Sequence, residues 1–347
     1  MERVIKCSEA IREALDQEME LDERVIVMGQ GVDDAKGMWG TTLGLQKKYG
    51  AGRVFDTPLA EDGMTGVAIG AALGGLRPVH THIRMDFLVL AMNQLVNIAA
   101  KSRYMYGGSV KVPLVVRAVI GRSWGQGAQH SQALHAWFAH IPGIKVVMPA
   151  TAYDAKGCLI QAIRDDNPVL FVEHRLVHQA GSHVPSEPYA VPLGRARILV
   201  PGSQLTIVAT GHMVMESMRA QATLEKAGLS IEVIDPVTIS PLDTATIFAS
   251  LEKTGRLLVV DNAWLSCGFS AEIIARAVEH FPGGGIQYAR MGFAPVTCPT
   301  TKVLEKEFYP DARRIAARAA EMIQPGLPTP VGPQEEAPEI TRFKGPF

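Results

Sequence analysis

Four side chains in the first half of the sequence follow predicted strands and could together carry out acid–base chemistry. They are Gln30, Glu61, Phe87 and His130, and the strands before them end at Met28, Phe55, Ile83 and near Val119. The carboxyl ends of parallel strands meet at one edge of an α/β sheet, where such proteins build their sites. A carboxylate, an aromatic ring and an imidazole that converge there make a candidate functional site.

Glu61 lies in the segment Asp56–Gly63, which precedes a helix rich in small residues, Gly66–Ala72. Small residues let a helix pack closely against another backbone, so we expect this helix at a large interface. A carboxylate at a helix start also serves the amides of the first turn. Position alone therefore favours helix capping over catalysis for Glu61.

Two glycine-containing motifs give further hypotheses. Gly121–Gly125 has the GxSxG pattern of a hydrolase, with Ser123 as nucleophile, but that motif needs a helix directly after the serine and further glycines follow instead. The pair Gly29 and Gly31 lacks the third glycine of a dinucleotide fingerprint, and a Walker A loop is absent. We expect no phosphate cradle in this chain.

The sequence does not indicate a metal site or a disulfide framework. It contains no HExxH motif, and its four cysteines are far apart without a CxxC pair. They are Cys7, Cys158, Cys267 and Cys298. We therefore expect a protein of a reducing compartment.

The composition restricts the class of protein. Among 347 residues the formal net charge is −1, which argues against a dedicated nucleic-acid binder. Hydrophobic residues make up 47% and charged residues 20%, as in globular proteins. No apolar stretch approaches the about 20 residues of a membrane span, and the start lacks the apolar run of a signal peptide. We expect a cytoplasmic protein of two domains, since a domain takes about 150 residues.

Apolar strands alternate with helical segments in the first half. The predicted strands are Arg24–Met28, Val54–Phe55, Pro78–Ile83, Pro113–Val119, Lys145–Met148 and Val169–Val172. The predicted helices are Thr65–Leu76, Phe87–Tyr106, Ser131–His140 and Tyr153–Asp165. Strands that are apolar on both faces and separated by helices indicate a parallel sheet covered on two sides, so the predicted fold class is α/β.

A second α/β series follows a stretch that is poor in strand signals and contains four prolines, residues 178–203. Its predicted strands are Leu205–Ala209, Ser230–Ile234, Arg256–Val260 and Ile286–Ala289, with helices at Met213–Ala227 and Phe269–His280. The predicted organisation is a first domain (1–178), a linker (179–203), a second domain (204–324) and a Pro-rich tail (325–347), which we expect to be extended.

Three long segments resemble one family of enzymes. They are DTPLAEDGMTGVAIGAALGGLRPV at 56–79, the stretch from AQHSQALHAW to VLFVEH at 128–174, and TISPLDTATIFASLEKTGRLLVVDNAW at 238–264. From about residue 2 to about residue 325, the chain resembles the β subunit of the thiamine-diphosphate-dependent component of 2-oxo acid dehydrogenase complexes. Pyruvate, branched-chain 2-oxo acid and acetoin dehydrogenases share this subunit.

The resemblance implies a transketolase-like pyrimidine-binding domain followed by a transketolase C-terminal domain. It also implies an α2β2 heterotetramer with thiamine diphosphate at each α/β interface. The α subunit holds magnesium and the diphosphate through a Gly-Asp-Gly motif that this sequence lacks. With its α partner, such a protein decarboxylates a small-molecule 2-oxo acid and acylates a lipoyl group on an acyltransferase core.

The resemblance also gives roles to individual residues. Glu61 would hydrogen-bond the cofactor's pyrimidine nitrogen, and Phe87 would pack against the pyrimidine ring beside Ile83. His130 would lie at the substrate mouth and act in acyl or lipoyl transfer. Some members of the family hold a structural potassium ion through main-chain oxygens that match Leu114, Ala162, Ile163, Asp165 and Asn167.

Several positions depart from the family pattern. Many members have a glutamate at the position of Gln30, within an acidic path proposed to link two active sites, and glutamine cannot relay a proton as a carboxylate does. Further departures lie at Pro236–Thr238, Asp261–Asn262 and His174–His178. These differences indicate a divergent branch.

The leading hypothesis is a 2-oxo acid dehydrogenase β subunit that is active only with an α subunit. Within the same family, a two-chain transketolase- or acyloin-type enzyme without lipoamide is the alternative. From other classes, a non-catalytic scaffold subunit and the Ser123 hydrolase also stay open.

Overall fold

The computed structural model describes residues 3–122, 125–326 and 340. The first half contains β1 (Val4–Lys6), α1 (Cys7–Leu21), β2 (Val25–Gly29), α2 (Gly37–Gly40), α3 (Leu45–Tyr49), β3 (Val54–Asp56), α4 (Glu61–Leu73), β4 (Arg77–His82), α5 (Met85–Leu88), α6 (Ala100–Met105), β5 (Val115–Ile120), α7 (His135–Ala139), β6 (Lys145–Val147), α8 (Ala152–Arg164), β7 (Val169–His174) and β8 (Gly181–His183). The second half contains β9 (Arg197–Val200), β10 (Leu205–Ala209), α9 (His212–Lys226), β11 (Ile231–Asp235), β12 (Thr238–Ser240), α10 (Thr244–Thr254), β13 (Arg256–Trp264), α11 (Phe269–His280), β14 (Gln287–Phe293), α12 (Lys302–Phe308) and α13 (Ala312–Ile323).

The first sheet has seven strands in the order β12-β6-β7-β5-β4-β2-β3, and all of them are parallel except β12. Helices α1 and α8 pack on the face that carries Val25 and Val27 of β2, whereas α4 and α5 pack on the face that carries Ile26 and Met28. Every residue of β2, β5 and β7 is buried. The predicted parallel sheet covered on both faces is confirmed.

The second sheet has five strands in the order β14-β13-β10-β11-β9, with β9 antiparallel to β11. Helices α9 and α13 cover one face of this sheet, and α10 and α11 cover the other. The second half is therefore also an α/β unit, as the alternation of strands and helices predicts.

One strand of the second half joins the first sheet. β12 pairs antiparallel with β6, so that Thr238 lies opposite Val147 and Ser240 opposite Val146. The sequence analysis missed β12 because it has only three residues and follows Val237, whose φ of +54° interrupts any regular pattern. The two halves thus share a sheet as well as a continuous apolar core.

The predicted linker, residues 179–203, contains two strands, which corrects its interpretation as poor in strands. β8 pairs with β1, and β9 pairs with β11. β8 has the sequence Gly-Ser-His, and β9 lies at the margin of its sheet with half-exposed residues. Neither strand therefore shows the buried apolar run on which the prediction relied. The domain boundaries themselves stay predictions.

Two predicted helices are shorter or more broken than expected. Residues 87–106 were predicted as one helix. They contain the end of α5 and the whole of α6, and these are separated by a 3₁₀ turn at Val89–Ala91 and a π-helical turn at Gln94–Ala99. The predicted helix at 131–140 is reduced to α7.

Helix α1 had no counterpart among the predicted elements. Ser123 of the hydrolase hypothesis, and residues 327–339 and 341–347 of the predicted tail, lie outside the described residues.

Candidate active site

Glu61 is the first residue of α4, and its side chain is half-buried. Nε2 of Gln30 donates a hydrogen bond of 2.9 Å to Oε1 of Glu61. Among the described residues, this carboxylate thus accepts its hydrogen bond from Gln30, just after β2, and not from an amide of the first turn of α4. A capping hydrogen bond therefore does not account for Glu61.

Gln30 joins the ends of two neighbouring strands. Its Oε1 accepts a hydrogen bond of 3.4 Å from the main-chain nitrogen of Ile83, just beyond β4, while its Nε2 donates to Glu61. A carboxamide can donate and accept at once, whereas a glutamate here would face Glu61 with a second acceptor. The departure at Gln30 therefore lets one side chain hold Glu61 and the end of β4 together.

Phe87 and His130 contact each other at the same edge of the sheet. Their ring centroids are 5.3 Å apart, and the rings are edge to face at 72°. Phe87 in α5 is 37% exposed, and His130 is half-buried. The convergence expected from the strand ends therefore yields two contacting pairs, Gln30 with Glu61 and Phe87 with His130. Ile83 lies between the two pairs, because its main-chain nitrogen donates to Gln30 and it shortly precedes Phe87 in the sequence.

The loop that carries His130 is fastened to α5. Oδ1 of Asp86 accepts a hydrogen bond of 3.0 Å from the main-chain nitrogen of Gln132, and Sδ of Met85 lies 3.0 Å from the main-chain nitrogen of Leu134. Both anchors are buried. The chain just after His130 is thus anchored at two positions, and the His130 ring packs against Phe87.

Two buried histidines lie behind the site on β4. Burial lowers the pKa of His80 to about 4, and the nearby charge of Glu61 opposes that shift. Burial also lowers the pKa of His82 well below its usual range, and Nε2 of His82 lies 3.4 Å from Oγ1 of Thr65. Both imidazoles are therefore neutral at physiological pH.

Two buried arginines, which the sequence analysis did not single out, lie at the carboxyl ends of β4 and β7. Arg84 and Arg175 are 6% and 1% exposed, and their guanidinium carbons lie 5.6 Å and 5.8 Å from the ring centroid of Trp39. Burial lowers the pKa of Arg84 to about 10. Burial, and then the charge of Arg84, lowers the pKa of Arg175 to about 9. Their positions after strand ends are the signal that could have found them.

Four of the five main-chain oxygens expected for potassium accept hydrogen bonds in this structure. Nη1 of Arg77 donates to the oxygens of Ile163 at 2.9 Å and of Asp165 at 3.1 Å. The oxygens of Leu114 and Ala162 accept from backbone amides. At least two of the five oxygens thus converge on one cationic group, and each carbonyl retains a second lone pair.

Helix α4 exposes small and apolar residues. A Cβ atom added at Gly63 or Gly70 would meet no atom within 4 Å apart from the neighbouring backbone of α4 itself. Val67 and Leu73 on the same helix are 54% and 51% exposed, and Leu59 just before the helix is 81% exposed. A contiguous apolar surface of this kind marks an interaction site.

Neither a membrane span nor a metal cluster is found in the described residues. Within residues 3–122 and 125–326, no helix combines the length and apolarity that crossing a bilayer requires. In the same ranges, His, Cys, Asp and Glu side chains form no group of three that could hold a metal ion.

Two domain families match the chain and cover most of it. "Transketolase, pyrimidine binding domain" matches residues 3–179, and "Transketolase, C-terminal domain" matches residues 194–315. The β subunit of acetoin:2,6-dichlorophenolindophenol oxidoreductase from Cupriavidus necator is 42% identical over 339 residues, which cover 94% of this chain and 99% of that protein. The chain belongs to the family of acetoin and pyruvate dehydrogenase β subunits. This family of thiamine-diphosphate-dependent β subunits also includes the mitochondrial pyruvate dehydrogenase E1 β subunit of Bos taurus, which is 40% identical over 316 residues and matches 88% of this chain and 87% of that one.

The fold of this dehydrogenase β subunit extends to more distant proteins. A split-gene transketolase, described as an inactive β4 tetramer, superposes with a TM-score of 0.74 at 22% identity, covering 92% of this chain and 98% of the other. At that identity the likeness concerns the fold alone. It confirms the predicted transketolase-like architecture of the dehydrogenase β subunit.

The site of this dehydrogenase β subunit suits the pyrimidine half of the family's cofactor. A half-exposed aromatic ring, Phe87, and a fixed carboxylate, Glu61, lie at one edge of the sheet, as an aminopyrimidine requires for packing and hydrogen bonding. No glycine-rich phosphate cradle occurs in the sequence. The residues of this chain thus match one half of the cofactor and lack that motif for the other.

Proposed function

We propose that this chain is the β subunit of a thiamine-diphosphate-dependent dehydrogenase that acts on a 2-oxo acid or on acetoin together with an α subunit. The names of its acetoin and pyruvate dehydrogenase relatives support this proposal. The observation that carries it is the geometry of Glu61, which Gln30 holds at the carboxyl edge of the sheet next to the end of β4. The comparisons do not favour the alternatives, which are a two-chain transketolase- or acyloin-type enzyme without lipoamide, a non-catalytic scaffold subunit and the Ser123 hydrolase.

Each site residue has a proposed task. Glu61 would hydrogen-bond the pyrimidine ring nitrogen and exchange a proton with it, and Phe87 would pack on the ring with Ile83 beside it. Thiamine diphosphate, when bound beside Glu61 and Phe87, would supply the carbanion chemistry that decarboxylation of a 2-oxo acid requires. His130 would hold a proton at the mouth of the site during acyl transfer to a lipoyl group, since it lies beyond Phe87 and is half-exposed.

The α subunit is proposed to bind over α4 in an α2β2 assembly and to hold magnesium and the diphosphate. The exposed Gly63 and Gly70 would let a partner backbone approach closely, and Val67 and Leu73 would be buried by it. A lipoyl acyltransferase core is the proposed acceptor of the acyl group. The cytoplasmic location stays a prediction from the sequence.

A potassium ion would compete with Arg77 for the same main-chain oxygens. If the ion binds through Leu114, Ala162, Ile163, Asp165 and Asn167, potassium chloride should raise the unfolding temperature of the assembly above its value in choline chloride at equal ionic strength. If Arg77 already satisfies these oxygens, the two salts should give the same unfolding temperature.

The proposed function is tested by co-expression of this chain with its α partner. Reduction of 2,6-dichlorophenolindophenol is measured with pyruvate, branched-chain 2-oxo acids and acetoin, with and without thiamine diphosphate. Cofactor-dependent turnover of at least one substrate is expected. Absence of turnover together with absence of thiamine diphosphate binding by the assembled pair would overturn the proposal.

A further inference from the structure

Asp86 is a buried carboxylate whose second oxygen is not used by the fold. The residue is 6% exposed, and its Oδ1 accepts the hydrogen bond from the main-chain nitrogen of Gln132. Its Oδ2 is buried without a hydrogen-bond partner among the described residues. A buried polar oxygen without a partner costs free energy, so its retention needs a reason outside the packing of the loop.

Asp86 is connected with the candidate site by its electrostatic interactions and by the residues next to it. Burial raises the pKa of Asp86, whereas the Gln132 hydrogen bonds and the charge of His130 lower it. Asp86 precedes Phe87, whose ring contacts His130, and its hydrogen bond holds the chain two residues after His130. The carboxylate is therefore linked to His130 through the ring of Phe87 and through the main chain at Gln132, and its charge interacts with that of the imidazole.

Arg84, two residues before Asp86, also interacts electrostatically with this carboxylate. The charge of Asp86 raises the pKa of Arg84 against the effect of burial. Nη1 of Arg84 donates to the main-chain oxygen of Ile83 at 3.0 Å, while its Nε is buried without a hydrogen-bond partner in the described chain. Two buried groups, Arg84 and Asp86, and the half-buried His130 therefore form an electrostatically connected set that begins just after β4.

We propose that Asp86 is a positioning residue for His130, which it orients through the loop and supplies with a negative charge beside the imidazole. The inference rests on the proposed role of His130 in acyl transfer. An imidazole that holds a proton during that step carries a positive charge, and a fixed carboxylate nearby stabilises this state, as in hydrolytic triads. Protonation of Asp86 removes this support, so acyl transfer should decline on the acidic side.

Other charged and titratable groups face this cluster and define what must be held constant. Arg175 and Arg84 approach from the ends of β7 and β4, and Arg122 follows β5. From the second half of the chain, Cys298 lies against Ser131, and Tyr309 and Glu305 lie next to Cys298. Burial raises the pKa of both Cys298 and Tyr309, so neither is charged in the acidic range.

The test is a double-mutant cycle in the assembled enzyme with its α subunit. Asp86→Asn and His130→Asn are made singly and together, and acylation of a lipoyl domain is measured from about pH 5 to 8. Asp86→Asn should slow acylation by about 10- to 100-fold and abolish the acidic decline. The double variant should be no slower than His130→Asn alone, because the carboxylate acts through the imidazole. Glu279→Gln, which removes an exposed carboxylate on α11 in the second half of the chain, is the matched control.

Three outcomes are decisive. An unchanged pH profile in Asp86→Asn, or losses that add fully in the double variant, would overturn the inference and leave the proposed function intact. Full lipoyl acylation by His130→Asn would overturn the role of His130 and the inference that depends on it, even if the dye assay still reports turnover. The cycle is repeated with Asp86→Ser and with unfolding temperatures, so that a folding defect of one variant does not decide the result.

Discussion

Replacement of Gln30 by glutamate tests whether the carboxamide is what holds Glu61. In the wild type, Nε2 of Gln30 donates to Oε1 of Glu61 over 2.9 Å. Gln30→Glu converts that donor into a second carboxylate, so that two acceptors face each other and the pair must retain one proton or separate. Gln30→Met removes the hydrogen bond without adding a charge and is the matched control.

The size of the effect follows from the geometry. Two unit charges about 4 Å apart repel by roughly 4 kcal/mol at an effective dielectric constant of about 20. Because Glu61 is only half-buried, solvent screening reduces this to about 1–2 kcal/mol. For a unit of this size, about 1 kcal/mol corresponds to about 2–4 °C in unfolding temperature.

The pH dependence gives the sign. Below about pH 4 both carboxyls are protonated in the folded and the unfolded chain, so Gln30→Glu should match Gln30→Met. As the pH rises, the unfolded chain releases both protons while the folded pair retains one, and the stability of Gln30→Glu falls until the raised pKa of the pair is passed.

Unfolding temperatures of the α–β assembly at pH 5 and pH 8 measure this difference. The swapped double variant, Gln30→Glu with Glu61→Gln, again pairs a carboxamide with a carboxylate and should recover the unfolding temperature at pH 8. Its carboxyl group then lies at position 30 instead of position 61, so we do not expect activity to recover. Equal unfolding temperatures of Gln30→Glu and Gln30→Met at pH 8 would refute the reasoning.

Three further predictions follow from single features. Glu61→Gln should lower turnover by at least about 100-fold, because a carboxamide cannot give a proton to the pyrimidine nitrogen, while gel filtration shows an intact assembly; unchanged turnover would contradict this role. Gly70→Leu should prevent association with the α subunit but keep the circular dichroism of this chain, since a Cβ atom there would meet no atom within 4 Å apart from the neighbouring backbone of α4 itself; normal assembly would show that α4 is not the interface. Burial and Asp154 raise the pKa of Asp235 to about 8, so the wild type loses stability as the pH rises from about 4 to 8. Asp235→Asn should therefore raise the unfolding temperature more at pH 8.5 than at pH 5, and an equal change at both values would count against the raised pKa.

The sequence predicted the site because its signals are local. Glu61, Phe87 and His130 each follow an apolar run, and parallel strands bring such positions together whatever the details of the loops. The resemblance then supplied roles that no pattern of polarity contains. The carboxamide bridge from Gln30 to Glu61 was not predicted, because it depends on the relative height of two strand ends and not on spacing along the chain.

What the sequence missed depends on partners that are distant along the chain. β12 lies about ninety residues after β6, and its three residues gain their structure only from pairing with that strand. Arg84 and Asp86 were not predicted as site residues, since nothing in their neighbourhood along the chain indicates burial. Their environment is made by Trp39 and by the loop around Gln132, which the fold brings to the same place.

The pairing of β12 with β6 also bears on how the chain is made. During synthesis the first 178 residues leave the ribosome before Thr238, so β6 has no neighbour on its outer side until the later strand has emerged. An open strand of this kind is a template for pairing with another chain. A fragment that ends at residue 178 should therefore be prone to self-association. The pairing of β12 with β6, which completes the first sheet, should be among the late steps in the folding of the nascent chain.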